Sequence, residues 1–558
     1  MDKKIALILL LVTIPAIYQL IKPGFYEPHD LHHLADIYQM VRAIASGQIP
    51  PRLGPDFTYG YGYPLFNFYY LLPFYLGAFF YALFGSLTAS FESVFVLSAI
   101  LSVFGVYLFL REFFDKLPSF VGSLLFLYTP YRAVQIYVRG AMGEALALSL
   151  FPFVLWGVVR IIKKPASRKF VAGCAVLFGL FIISHNYLWI MSLPFVLLFL
   201  LLLKRVEKIF SLRILLITGL ASLGITAFWW LPALVENNLV SSTTPFPLID
   251  HFPFFRQLII PSWGYGSSVW GPSDEISFQI GIVNIAVVIF LILYSLNLLL
   301  RNLERSRKVS TVINLLKNDK RILLAIWALI GFIVSVFFMN IRSYFIWKII
   351  PFYNFIQFPW RLLIFTTFFS SVAAAYVVNT LPIKISKLTG LLIILVSITL
   401  TYNYFAPSSI VHKKDKDYLT RFFESTTYSE DYLLLPKWVE ERPIHSPLTK
   451  ISVTDGEILN IDELSPIHWT SIININSPTT VNFHSYYFPG WNAKIDGEKA
   501  AIFPGKPYGQ IELNVDKGMH TLEFYWKETG LRKIADYISI LSLLFLGFFV
   551  VSKKIIKV

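Results

Sequence analysis

Long apolar runs dominate the chain. They lie at 5–21, 64–84, 91–110, 118–129, 142–159, 169–184, 187–203, 214–231, 277–299, 322–339, 361–380, 387–405 and 535–552. About 20 apolar residues in a helix cross the ~30 Å hydrocarbon layer, so the pattern predicts a polytopic α-helical membrane protein. From residue 406 the texture changes. Ile511-Glu512-Leu513-Asn514-Val515 and Thr521-Leu522-Glu523-Phe524-Tyr525-Trp526 alternate apolar and polar positions, which predicts strands. Asp496-Gly497, between Ala493-Lys494-Ile495 and Lys499 to Phe503, predicts a hairpin. The second half of 406–533 therefore reads as a small β-sandwich outside the membrane, tethered by a final span.

Composition and charge sharpen this picture. The 558 residues are 56% hydrophobic, 17% aromatic and 15% charged, against about 25% charged in an average soluble domain. A soluble enzyme and a disordered chain are both excluded. The net charge of +14 points to cytoplasmic Lys and Arg rather than to nucleic acid. With the N-terminus inside and 64–84 not crossing, one face collects Lys3/Lys4, Arg111/Lys116, Arg160 to Lys169, Lys204 to Arg213, Arg301 to Arg321, Lys384/Lys387 and Lys553/Lys554/Lys557. If 64–84 crossed, every later cluster would flip outside. The expectation is thus twelve transmembrane helices in the cell membrane, with 64–84 an aromatic helix at the outer interface and 301–321 a basic surface helix. The domains are 1–405 (membrane), 406–533 (extracytoplasmic, β-rich) and 534–558 (last span and basic cytoplasmic tail). The apolar start lacks a small-residue cleavage site and reads as a retained first span. The single cysteine, Cys174, lies inside an apolar run, so neither a disulfide nor a cysteine metal site is expected.

The ionisable residues avoid the span centres, where pumps and many transporters keep theirs. They gather at the outer span ends: Glu27, His29, Asp30, His32, His33, Asp36, Arg139, Glu144, His185 and Arg361. A carboxylate there can activate a hydroxyl or hold a divalent cation, and an arginine can neutralise a phosphate. Each residue also has a plain reading. Asp30 can be a base or the N-cap of a helix over 31–46. His29 and His33, four apart, can share a cation or simply face an interface. Arg139 can bind a phosphate or anchor at the interface, with Glu144 then answering the helix dipole. His185 sits in a tight turn, Ser184-His185-Asn186. Arg361 follows Phe358-Pro359-Trp360 as a phosphate clamp or an interface residue. The aromatics of 261–266, Trp263 among them, can stack on sugars or form a membrane belt. No Walker loop, dinucleotide fingerprint, HExxH or GxSxG occurs.

Six stretches in order resemble the C-type glycosyltransferase superfamily of membrane enzymes. They are Pro28-His29-Asp30 with His32, Tyr61-Gly62-Tyr63-Pro64-Leu65-Phe66, Arg139 to Glu144, Ser184-His185-Asn186, Phe358-Pro359-Trp360-Arg361, and Tyr487 to Trp491 continuing to Asp496-Gly497. The arrangement is closest to the bacterial membrane proteins labelled 6-pyruvoyl-tetrahydropterin synthase-related, and the last stretch is similar to the C-terminal outer domain of YfhO-like proteins. The resemblance implies a glycosyltransferase that moves a sugar from a polyprenyl-phosphate donor to an envelope glycan, lipid or protein acceptor on the outer face. It implies Asp30 and Glu144 as catalytic carboxylates, which would also hold a divalent cation (Mg or Mn) if one is used. His29, His33, Arg139, His185, Arg361, Tyr61 and Trp263 would bind substrate. The first loop lacks a plain Asp-x-Asp. Pterin-synthase chemistry, which uses a soluble fold with His-bound zinc, finds no support. The rival expectation is a non-catalytic lipid-glycan translocator or envelope-assembly protein. The discriminator is whether Asp30, Glu144 and Arg361 converge on one cavity.

Overall fold

A computed structural model describes residues 2–163, 167–207, 211–241, 246–306, 319–351, 353–424 and 434–552. Most of the expected basic loop 301–321 and the basic tail from Lys553 lie outside the described residues. The principal helices are α1 (Lys3–Ile17), α2 (His33–Ala45), α3 (Leu72–Phe84), α4 (Leu87–Leu110), α5 (Lys116–Leu127), α6 (Met142–Lys163), α7 (Arg168–Ile182), α8 (Leu188–Lys204), α9 (Leu212–Ile225), α10 (Ala227–Val235), α11 (Ile282–Ser306), α12 (Lys320–Phe338), α13 (Leu363–Thr380), α14 (Ile383–Thr401), α15 (Asp415–Phe423) and α16 (Gly530–Val551).

Among the described residues, seven helical stretches are long and apolar enough to cross a membrane: Lys3–Ile21, Leu87–Leu110, Met142–Lys163, Lys320–Phe338, Pro359–Thr380, Ile383–Tyr404 and Gly530–Val551. An eighth is the pair α9 and α10, bent by 69° at Thr226. Twelve spans are therefore not confirmed: seven or eight stretches meet the length and apolarity needed, and Leu72–Phe84, Lys116–Leu127, Leu188–Lys204 and Ile282–Asn297 are shorter apolar helices. The reason is length: α5 has 12 residues and rises only about 18 Å, and α8 has 17. A run of apolar letters does not record where the helix stops. The run 64–84 shows the same effect. Residues 65–68 form one turn, the chain then extends through Tyr69, and the helix proper starts at Leu72 with Pro73 in its first turn.

Within the spans, hydroxyls bond back to the preceding turn, as in Thr13 to Leu9 O (2.8 Å), Ser149 to Ala145 O (2.7 Å) and Ser397 to Ile393 O (2.6 Å). Such polar atoms need no partner from lipid. The α6 and α13 helices form the buried centre, and α1, α14 and α16 lie on the outside with exposed leucines and isoleucines.

The C-terminal region is the expected β-structure. Its strands are β1 (Ile451–Val453), β2 (Gly456–Ser465), β3 (His468–Ile475), β4 (Thr479–Tyr486), β5 (Trp491–Ile495), β6 (Glu498–Ala500), β7 (Phe503–Pro504), β8 (Gln510–Val515) and β9 (Gly518–Trp526). They make two antiparallel sheets, ordered β1-β4-β8-β7 and β2-β3-β9-β5-β6. Phe483 of one sheet stacks on Phe524 of the other at 4.5 Å. The hairpin falls at Asp496-Gly497, both with positive φ (52° and 86°), as a two-residue turn between twisted strands requires.

Two buried arginines join this region to the helices. Arg52 donates to Glu528 (3.1 Å), Asp536 (3.0 Å) and Phe228 O (2.6 Å). Arg532 donates to Glu236 (3.0 Å), which also accepts from Asn67 (2.7 Å).

Candidate functional site

The first loop is zipped to the segment before α6. The His29 N–H donates to Val138 O (3.0 Å) and the Asp30 N–H to Arg139 O (2.7 Å). Gly140 makes this possible: its φ is +68°, and a Cβ there would meet Pro28 at 2.6 Å. Asp30 and Arg139 are thereby held side by side, with Asp30 Oδ2 3.9 Å from Arg139 Nη2.

Glu144, in the first turn of α6, gathers the cations. Its Oε2 accepts from Arg139 Nη1 (2.6 Å) and the Tyr131 hydroxyl (3.0 Å), and its Oε1 from Arg361 Nε (2.8 Å). Arg361 Nη1 donates to Ile356 O (2.6 Å), which fixes the guanidinium plane. The Arg139 guanidinium lies over Trp360 (4.7 Å) and that of Arg361 over Phe358 (5.1 Å). Such stacking suits guanidinium better than ammonium. Trp360 and Arg361 thus approach Glu144 from a segment 217 residues away.

His185, between α7 and α8, accepts the Tyr187 N–H on Nδ1 (3.2 Å), which leaves the proton on Nε2. Its ring stacks on Tyr70 at 5.4 Å. Burial pushes its pKa down to about 3; Arg361 and Arg139 add to the fall and Glu144 opposes it. His185 is therefore a neutral donor at physiological pH.

Asp30, His29, Arg139, Glu144, His185 and Arg361 all line one cavity of about 1180 Å³. The rest of its wall is largely apolar. It includes Trp229, Trp230, Ala233 and Leu234 around α10, Ile190 and Pro194 on α8, and Val334 and Phe338 on α12. The three discriminating residues, Asp30, Glu144 and Arg361, do converge.

Other expected residues fall elsewhere. Tyr61 is no cavity residue: its carbonyl accepts from the Ser485 hydroxyl (2.9 Å) and the Tyr486 N–H (2.9 Å), and its hydroxyl meets His484 Nδ1 (3.1 Å). It docks the β-region. Trp263 stacks flat on Tyr404 at 4.2 Å and stands outside the cavity lining, because another ring already covers its face. His33 is buried behind the wall, bonded through Nδ1 to Asp36 (2.9 Å) and through Nε2 to Tyr70 (3.1 Å). His29 lines the cavity but spends Nε2 on Tyr265 O (2.8 Å).

Arg139 lies between the two carboxylates expected to share a cation, Asp30 and Glu144. Both Glu144 oxygens accept from arginines. A closer set of potential ligands is His32, His33 and Asp36, whose ligand atoms lie within 4.8 Å of one another.

The expected site residues left out Tyr69, Tyr70, Trp229, Trp230 and Gln357, all cavity residues, and Asn186, quoted only as part of the motif around His185. The adjacent tyrosines Tyr69-Tyr70 were a visible signal. Gln357 gave none: its φ of +61° is a strained conformation of the kind that collects at functional sites.

Comparison with known proteins places these features. An uncharacterized protein of Lactococcus lactis subsp. cremoris is 27% identical over 311 residues, covering 52% of this chain and 49% of that protein. The chain thus spans about half the length of the curated relative it matches. Among solved structures, the mycobacterial arabinofuranosyltransferase AftD aligns at 12% identity over 73% of this chain and 27% of its own, with a TM-score of 0.48. ArnT from Cupriavidus metallidurans, solved with undecaprenyl phosphate, aligns at 16% identity over 71% and 62%, with a TM-score of 0.40. Residues 66–247, which carry Tyr70, Arg139, Glu144 and His185, match the family described as 6-pyruvoyl-tetrahydropterin synthase related domain, a membrane protein.

Proposed function

We propose that the protein transfers a sugar from a polyprenyl-phosphate-linked donor to an acceptor hydroxyl of an envelope glycan, lipid or protein at the outer face of the cell membrane. One observation carries this reading: a single cavity is cationic and acidic at one end and apolar along the rest of its wall. That is the shape of an amphiphile with a phosphate head and an isoprenoid tail.

The two carboxylates differ in access. The Glu144 side chain is 2% exposed and saturated by donors; that of Asp30 is 30% exposed and has one long ionic contact. Asp30 is therefore the base, and Glu144 is a positioning residue that holds the two guanidiniums. The acceptor hydroxyl gives its proton to Asp30 as its oxygen bonds to the anomeric carbon. The bond from that carbon to the phosphate oxygen breaks, and the lipid phosphate leaves with the electron pair. Before reaction Arg139, Arg361, Glu144 and Asp30 sum to zero charge. Once Asp30 is protonated the set is net positive, as the departing phosphate gains negative charge. His185 offers its Nε2–H as a neutral donor beside them.

The test is mass spectrometry of lipids retained by the purified wild type and by Asp30→Asn. A polyprenyl-phosphate sugar enriched in the variant is the expected result. Bulk phospholipid alone in both proteins, with a known transferase retaining its donor under the same conditions, would overturn the reading in favour of a scaffold or translocator.

A further inference from the structure

The start of α2 carries chemistry that the transfer reaction leaves unused. His32 and His33 stand four and three residues before Asp36, so each meets its carboxylate across one helical turn, and the three ligand atoms lie within 4.8 Å of one another. His33 Nδ1 is 2.9 Å and His32 Nε2 3.8 Å from the same oxygen, Asp36 Oδ2. Ligands bound at about 2.0–2.2 Å around a tetrahedral ion lie roughly 3–3.6 Å apart, which falls between these two separations.

We propose that His32, His33 and Asp36 bind a divalent cation of the zinc type. Three features argue for it. The first is the supporting shell. His33 Nε2 meets the Tyr70 hydroxyl at 3.1 Å and Nδ1 meets Asp36 Oδ2 at 2.9 Å; a cation would replace the proton between Nδ1 and the carboxylate, while Nε2–H donates to Tyr70 as the outer partner of a ligating histidine. The second is burial with one open side. His33 and Asp36 are almost fully buried, while His32 lines the large cavity. A set of three protein ligands with one of them at a cavity edge resembles a catalytic zinc site, which keeps its fourth position for water or substrate, more than a closed structural one. The third is the donor set. Two imidazoles and one carboxylate suit Zn²⁺ and disfavour Mg²⁺, which demands oxygen ligands in an octahedron. This donor set differs in chemical character from the carboxylate pair Asp30 and Glu144, where the sequence led to an expectation of Mg or Mn.

The site rests on these three side chains alone. Its use, which is to meet the donor phosphate, rests on the transfer reading. Tyr70 joins the two, since it bonds His33 and stacks on His185.

The experiment uses the full chain without a histidine tag, stripped with chelator and titrated with Zn²⁺ alone by calorimetry. A parallel Co²⁺ titration is read by its visible d–d bands. The expected result is one equivalent of Zn²⁺, a tetrahedral Co²⁺ spectrum, and binding at least ~100-fold weaker in both Asp36→Asn and His32→Gln. His32→Gln, at the cavity edge, keeps the test open if Asp36→Asn fails to fold. Zn²⁺ bound equally by wild type and both variants, or by none of the folded proteins, would overturn the proposal. Asp30→Asn separates the two readings: it should bind Zn²⁺ like the wild type while losing transfer. Intact Zn²⁺ binding with no polyprenyl-phosphate sugar in the retained lipids would overturn the transferase and leave the metal site standing.

Discussion

Two buried charge clusters of similar make-up sit in different surroundings. One is Glu144 with Arg139, Arg361 and, at longer range, Asp30; the other is Glu236 with Arg532, beside Arg52 with Glu528 and Asp536. In the second, Arg52 uses Nε, Nη1 and Nη2 on protein acceptors, and neither it nor Arg532 lines the large cavity. In the first, the same residue types border open space. Burial and pairing therefore do not mark function, because a structural ion pair shows both. What marks it is a charge held rigidly by one side while its other side faces a cavity.

The comparison is broken or sharpened by four measurements. Asp30→Asn should lower transfer by about 10³-fold and leave the melting temperature unchanged, since its carboxylate makes one long contact. A matching loss of stability would place Asp30 with the structural cluster instead. Arg52→Met should do the reverse. Removing one partner of a buried ionic group costs roughly 3–5 kcal/mol, so folded yield and melting temperature should fall. Activity per folded molecule should hold within a few fold, and a selective loss of turnover would erase the distinction between the clusters.

Acid should act on the cavity next. His185 titrates near 3 when folded, chiefly because it is buried, against about 6.5 unfolded. The unfolded chain thus binds the extra proton first, and stability falls as pH drops from 6.5 towards 3. At pH 5 the loss is about 2 kcal/mol. Melting curves of wild type and His185→Gln should diverge only below pH 6.5. His484, pushed down to about 4 by burial and then by Lys450, adds a shallower trend in the same direction. The smallest effect belongs to Tyr61→Phe, which removes one hydroxyl contact to His484. It should cost about 1 kcal/mol and leave the retained lipid unchanged; an altered lipid profile would return Tyr61 to the substrate site.

The charged end of the cavity was legible in the sequence, because charge at span ends is rare enough to stand out. Asp30, Arg139, Glu144, His185 and Arg361 needed only that rule and the motifs around them. Their mutual contacts were not legible. Glu144 reads as a second catalytic carboxylate until Arg361 arrives from 217 residues away. Aromatics misled for a simpler reason: a tryptophan that stacks on sugar and one that stacks on Tyr404, as Trp263 does, are the same letter. The β-hairpin at Asp496-Gly497 was readable because its turn needs those two residues whatever surrounds them. Span number was not, since nothing in an apolar run announces the break at Thr226 or the early end of α5.

The bent pair α9 and α10 has a consequence in time. Its second half supplies Trp229 and Trp230 to the cavity, and its Phe228 N–H is held by Ser539 of α16, 311 residues later. At roughly 5–20 residues per second, a chain under synthesis carries α10 for about 15–60 s before that partner exists. The first-made loops must therefore wait beside a wall that is not yet braced from behind by α16.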